Sequence, residues 1–124
     1  MNAVIAEGAA VPEGPLFLAD GSLLVTEMAP DRGCVTRIES DGSIGAVIAA
    51  TGRPNGLAPA TDSAVWVAES LTPAILLLDV DGHAEVVATE CANDPLLWPN
   101  DLCVGSDGRL YVTDSGILCT TGSK

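Results

Sequence analysis

Short apolar runs, each interrupted by a polar turn sequence, recur along the chain and predict strands joined in hairpins. Leu16–Leu18 and Leu23–Thr26 flank Ala-Asp-Gly-Ser, and Cys34–Ile38 and Ile44–Ala49 flank Asp41-Gly42-Ser43. The same order then returns, with Leu57–Ala60 and Ala64–Glu69 as one hairpin and Ala74–Asp79 and Ala84–Thr89, around Asp81-Gly82, as the next. Two consecutive hairpins make a four-stranded unit. A two-residue turn at Asp20-Gly21 would place Gly14 opposite Glu27, so that the acid stands beside the start of the first strand.

The strand pattern is the visible part of an internal repeat. PEGPLFLADGSLLVTEM from Pro12, PNGLAPATDSAVWVAES from Pro54 and PNDLCVGSDGRLYVTDS from Pro99 align without gaps. Their pivot residues, Glu13, Asn55 and Asn100, lie 42 and then 45 residues apart. In each copy a proline precedes the pivot, a turn begins seven residues later, and an acid follows at fourteen: Glu27, Glu69 and Asp114. A period of about 40 to 50 residues is that of four-stranded β-propeller blades. The expected fold is therefore all-β: one incomplete propeller domain over residues 1–124, with repeat units starting near 12, 54 and 99 and about two and a half blades in all. Residues 1–11 read as a lead-in, with an outer strand that would pair with the last blade of a closed ring as one reading. The connection Glu90–Pro99 is longer than its counterpart before Pro54 and is expected at a rim, where it can shape a pocket. After Ser115 too few residues remain for a second hairpin, which reads as an N-terminal fragment of a larger ring.

Charge and cysteine usage narrow the partners. Seventeen acidic against five basic residues give a formal charge of −12, which opposes phosphate backbones and anionic bilayers, so neither nucleic acid nor membrane is expected. No run approaches the ~18 apolar residues of a spanning helix, and the N-terminus lacks the basic start and apolar core of a signal peptide. A cytoplasmic location follows as the expectation. Cys34, Cys91, Cys103 and Cys119, with His83 the single histidine, do not have zinc spacing. Cys103 falls at the repeat position of Leu16 and Ala58 and reads as a core residue; the other three read as free thiols.

The pivots carry the candidate chemistry. First strands of propeller blades line the central channel, so Glu13, Asn55 and Asn100 would present three oxygen-bearing side chains toward one axis. Such donors suit a hard divalent cation, although calcium takes about six to eight of them. The plainer reading is that the asparagines serve turns, as Pro-Asn-Gly and Pro-Asn-Asp do elsewhere. An acid at a buried channel mouth would need a counter-charge or a metal, which favours a functional Glu13. The acids at plus fourteen read as solvated or bonded to backbone amides. Leu24, Trp66 and Tyr111 share one repeat position and read as packing between blades, while Trp98, in the rim connection, is open to either packing or ligand stacking.

EGP at Glu13–Pro15, PNGLA at Pro54–Ala58 and PNDLCVGSDGRLYVTDSG at Pro99–Gly116 resemble the gluconolactonase, regucalcin and luciferin-regenerating-enzyme family. The resemblance implies a six-bladed propeller that hydrolyses lactones of sugars or related esters with a divalent metal at the channel mouth. Calcium is the first expectation, with zinc or magnesium as alternatives. By motif, Glu13 is similar to the family's metal-ligating glutamate and Asn100 to the asparagine that helps bind substrate, with Asp101 supporting that loop. The resemblance implies a metal that polarises the lactone carbonyl and acidifies a water, and a carboxylate that takes the water's proton. The family's other metal-ligating asparagine and aspartate, and its general base, have no counterparts in this sequence. A non-catalytic propeller segment for binding or assembly, or a non-functional fragment, is the alternative, and an isolated fragment is expected to self-associate through its open strand edges.

Overall fold

Each Asp-Gly or Asp-Ser step closes a hairpin, and the hairpins pair in sequence order. A computed structural model describes residues 3–116 of the chain, which contain strands and turns and no helix. The first blade comprises β1 (Pro12–Phe17), β2 (Leu23–Glu27), β3 (Cys34–Ile38) and β4 (Ile44–Ala50), antiparallel in that order. The second repeats it with β5 (Pro54–Thr61), β6 (Ala64–Glu69), β7 (Ala74–Asp79) and β8 (Ala84–Ala88). A third unit contributes the hairpin of β11 (Pro99–Val104) and β12 (Leu110–Asp114). Between the second and third units, β9 (Glu90–Cys91) and β10 (Asp94–Pro95) form a small ribbon. Ala92 and Asn93, both at positive φ, close it in the manner of a type I′ turn, a hairpin that the apolar pattern did not reveal.

The blades bury one another's faces, as alternation along each strand requires. Leu24 and Val35 of the first blade pack with Leu57, Val65, Val67, Leu76 and Leu78 of the second. The opposite face of the second blade, through Ala58, Ala68, Ile75 and Trp66, packs on Leu102, Leu110 and Val112 of the third. The residue eleven places after the pivot thus faces the following blade: Leu24 is buried and Trp66 is partly buried. Tyr111 has no such blade against it among the described residues and is 52% exposed. Cys103 is also exposed, contrary to its reading as a core residue, for the same reason: the face on which it lies has no covering sheet. Cys34, Cys91 and Cys103 are free thiols; Cys119 and the tail after Gly116 lie outside the described residues.

Two local features shift the register from the expected one. The first turn is a three-residue loop, with the Leu18 amide bonded to the Ser22 carbonyl and Gly21 at φ 83°. A bulge between Glu13 and Leu16 absorbs one more residue of β1. Glu27 consequently pairs with Pro12 instead of facing Gly14, and Glu69 and Asp114 pair with Pro54 and Pro99. The lead-in forms no strand within residues 3–11; Ala6 lies on Leu23, Val25 and Ile38, the outer face of the first blade.

Candidate channel-mouth site

The first strands β1, β5 and β11 are neighbours, and glycine is what lets them approach. A Cβ on Gly14 would sit 2.5 Å from the Asn55 carbonyl oxygen and 2.9 Å from the Leu57 nitrogen, and Gly14 has φ 51°. A Cβ on Gly56 would lie 2.7 Å from the Asp101 Cα and 3.0 Å from the Asn100 carbonyl oxygen. The residue after each pivot therefore abuts the next pivot, which sets Glu13, Asn55 and Asn100 on three adjacent strands at one end of the sheets. Thr26 ties the first junction by donating its buried hydroxyl to the Asn55 carbonyl at 2.7 Å.

A clamp recurs just ahead of each pivot. The amides of Met28, Ser70 and Ser115 donate to the carbonyls of Val11, Arg53 and Trp98, each two residues before its pivot, at 3.1, 3.1 and 3.0 Å. The acids at plus fourteen satisfy the amides left over there, as buried donors demand. Glu27 accepts from Ala10 N at 2.8 Å, Glu69 from Arg53 N at 2.8 Å, and Asp114 from Leu97 N at 2.8 Å and Trp98 N at 2.6 Å. These acids are structural caps, in line with the backbone-amide reading, and Glu27 and Glu69 are 1% and 2% exposed rather than solvated.

Their environments differ. Glu27 also accepts from Arg32 Nη2 at 2.7 Å and from the Thr36 hydroxyl at 2.5 Å. The hydrogen bond from Arg32, then those from Thr36 and the Ala10 amide, lower its pKa to about 2 against the cost of burial. In the second blade Leu76 stands in the register position of Thr36, and Glu69 Oε2 is buried without a hydrogen-bond partner.

The predicted site residues are placed as follows. Glu13 is exposed, so the argument that burial forces a counter-charge on it does not apply. Asn55 is 8% exposed. Asn100 is half-buried and its Nδ2 donates to Ser115 Oγ at 3.2 Å. Asp101 is exposed, its carboxylate accepts from Leu102 N at 2.8 Å, and its own amide donates to Thr113 Oγ1 at 3.0 Å. Among the described residues no group of three or more His, Cys, Asp or Glu side chains is placed to hold a metal ion. Glu13 with the pivot asparagines falls short of the six to eight oxygens that calcium takes, so these residues do not form a cation site by themselves.

Sequence reasoning missed the neighbouring pair Arg53 and Trp98. Both stand two residues before a pivot, and extending the repeat alignment by one position ahead of the proline would have brought them together. The Arg53 guanidinium carbon lies 4.7 Å from the centroid of the Trp98 ring, and Trp98 is 7% exposed, so for this tryptophan packing is the outcome. The rim connection borders an open groove in which Leu96 and Asp94 stand beside Trp66, Ile75 and Leu110, where the third unit has one hairpin among the described residues.

Stacked four-stranded antiparallel sheets whose first strands lie side by side are the blades of a β-propeller, and each repeat carries its pivot at the start of its first strand. The chain belongs to the SMP-30/Gluconolactonase/LRE-like region family, whose model matches residues 11–123. It is 29% identical to a gluconolactonase of Zymomonas mobilis over 90% of its length and 35% of that protein's. A solved gluconolactonase structure from Xanthomonas campestris matches with TM-score 0.77 and 29% identity, covering 90% of this chain and 37% of that one. Virginiamycin B lyase from Staphylococcus aureus, at 21% identity and TM-score 0.66 over 87% of this chain and 36% of the lyase, shares the fold. The chain thus spans about a third of the length of the relatives it matches. Among the described residues no helix is long and apolar enough to cross a membrane.

Proposed function

We propose that this chain supplies the first part of the channel mouth of a lactone hydrolase of the gluconolactonase type, acting on a sugar lactone or related ester in the cytoplasm. The observation that carries the proposal is the glycine-mediated abutment of the three first strands, in which β5 stands between the strands that bear Glu13 and Asn100. In this reading Asn100 turns its Nδ2 from Ser115 toward a lactone oxygen, and Asp101 holds the bulged start of β11 through its bond to the Leu102 amide. Glu13, exposed and free of the capping duty of Glu27, is proposed as one oxygen donor to a divalent cation. Calcium is the first choice on donor type, with zinc and magnesium as alternatives, and the remaining donors must come from groups other than those described.

A second reading has an observation in its favour. The open face around Tyr111 suits a non-catalytic segment that assembles with other blades. Hydrolysis of gluconolactone by the chain together with the blades that supply the remaining donors, followed by proton release with and without added calcium, separates the two. Calcium-stimulated hydrolysis lost in Glu13→Ala supports the lactonase reading. Hydrolysis that survives Glu13→Ala in the presence of chelator removes the proposed role of Glu13, and no hydrolysis under any condition favours assembly.

A further inference from the structure

Of the four arginines, Arg32 pairs with Glu27, Arg37 with Asp20 and Glu39, and Arg109 with Asp107. Arg53 forms no ion pair among the described residues, in a chain of net charge −12 where carboxylates are abundant. Its backbone is fixed on both sides: the amide donates to Glu69, and the carbonyl accepts from the Ser70 amide and from Ser70 Oγ at 2.8 Å. Its side chain lies over Trp98, and its Nε is buried with no partner. Neither Nη atom is hydrogen-bonded to a described residue, and the residue as a whole is partly exposed.

A partly exposed arginine held at backbone and ring face, with its outer nitrogens unpartnered among the described residues, is a preorganised fork for an oxyanion. Stacking on the indole limits its rotamers, so less freedom is lost on binding than for a loose surface arginine. Its place matters as much as its shape. Arg53 is two residues before the pivot Asn55, and Trp98 two before Asn100, so the stacked pair stands beside the pivots at the same end of the sheets. The chain's negative field opposes anions at long range, but beyond about 8 Å it is largely screened at physiological ionic strength. A fixed unpaired guanidinium therefore acts as a local selector.

We propose that Arg53, positioned by Trp98, is a specificity-determining residue that takes an oxyanion substituent, carboxylate or phosphate, of an acidic sugar lactone. The inference rests on the proposed lactonase site for its location, but its test does not depend on hydrolysis. Calorimetric titration of the full chain, with chelator present, would use glucose 6-phosphate, glucuronate and glucose as stable probes. The two anionic probes are expected to bind and glucose to bind at least about tenfold more weakly, the scale of a charge-assisted contact. Comparing the phosphate with the carboxylate probe identifies which oxyanion is preferred.

Arg53→Met, which keeps an apolar stem over Trp98, is expected to abolish the preference for the anionic probes. Arg53→Lys, which keeps the charge and loses the fork, should retain a weakened preference. Circular dichroism checks that both variants fold, and if Arg53→Met does not, the lysine variant decides. Equal binding of glucose and the anions by the native chain would overturn the proposal, as would anion binding unchanged in both variants. Because the probes are not lactones and the metal is chelated, failure here leaves neutral-lactone hydrolysis standing, and failure of hydrolysis leaves this binding result standing.

Discussion

Thr26 in the first blade donates its hydroxyl to the Asn55 backbone carbonyl in the second at 2.7 Å, in a fully buried setting. This is a lock between blades made by a side chain that belongs to neither turn. Thr26→Val keeps the shape and removes the donor to a buried carbonyl. A loss of about 1 to 3 kcal/mol is expected. Urea unfolding monitored by circular dichroism should show a lower midpoint with an unchanged slope, and Thr26→Ser should recover part of the loss.

Gly14 tests the close approach of the first strands. Alanine there must adopt φ near 51° and bring its Cβ 2.5 Å from the Asn55 oxygen. Gly14→Ala is expected to destabilise the fold by about 2 kcal/mol or more, combining left-handed strain with overpacking. Gly108, also at positive φ but with open space around it, is the control: Gly108→Ala should cost about 1 to 2 kcal/mol, the strain alone.

Glu27 predicts the acid limb of stability. Its folded-state pKa is lowered to about 2 from an ordinary value of 4.5, with the Arg32 hydrogen bond the largest cause. A depressed carboxylate stabilises the folded form above its unfolded pKa, and that stability is lost as pH falls through the folded value. The loss should therefore run from about pH 4.5 down to about pH 2. Asp20, held low by its Ser22 bonds and by Arg37, adds in the same direction at the surface. In Glu27→Gln the unfolding midpoint at neutral pH should fall, and its pH dependence across this window should flatten. A variant that titrates like the native chain would contradict the assignment.

The exposed Tyr111, Cys103 and Val104 on the third unit present a surface that packs elsewhere in the repeat. Self-association of the isolated chain is the expected outcome, with sedimentation velocity showing species heavier than 12.6 kDa. Tyr111→Lys, at 52% exposure, should shift the distribution toward monomer without altering the circular dichroism spectrum. A single monomeric boundary for the native chain would rule this out.

The chain's own residue order determined the hairpins, the repeat and the three pivots. Alternation against polar turns fixes strands locally, and a 42- to 45-residue period can be counted without coordinates. Cys34–Ile38 and Ala74–Asp79 were legible to the residue, because each lies between unambiguous breakers. What depended on partners far away in sequence was not legible. The bulge after Glu13 and the three-residue turn moved Glu27 from Gly14 to Pro12, since register answers to both strands and to the turn that joins them.

Burial was decided the same way. Cys103 and Ala58 occupy one repeat position, yet one is exposed and the other 3% exposed, because only Ala58 has a blade packed on its face. Glu13 is marked by sequence as a pivot but placed in solvent by the fold, whereas Glu69, read as solvated or bonded to backbone amides, is amide-bonded and buried with one oxygen unpartnered. The stacking of Arg53 on Trp98 joins residues 45 positions apart, brought together because successive blades set equivalent positions side by side. Local chemistry wrote the repeat; packing between its copies chose which members of it meet.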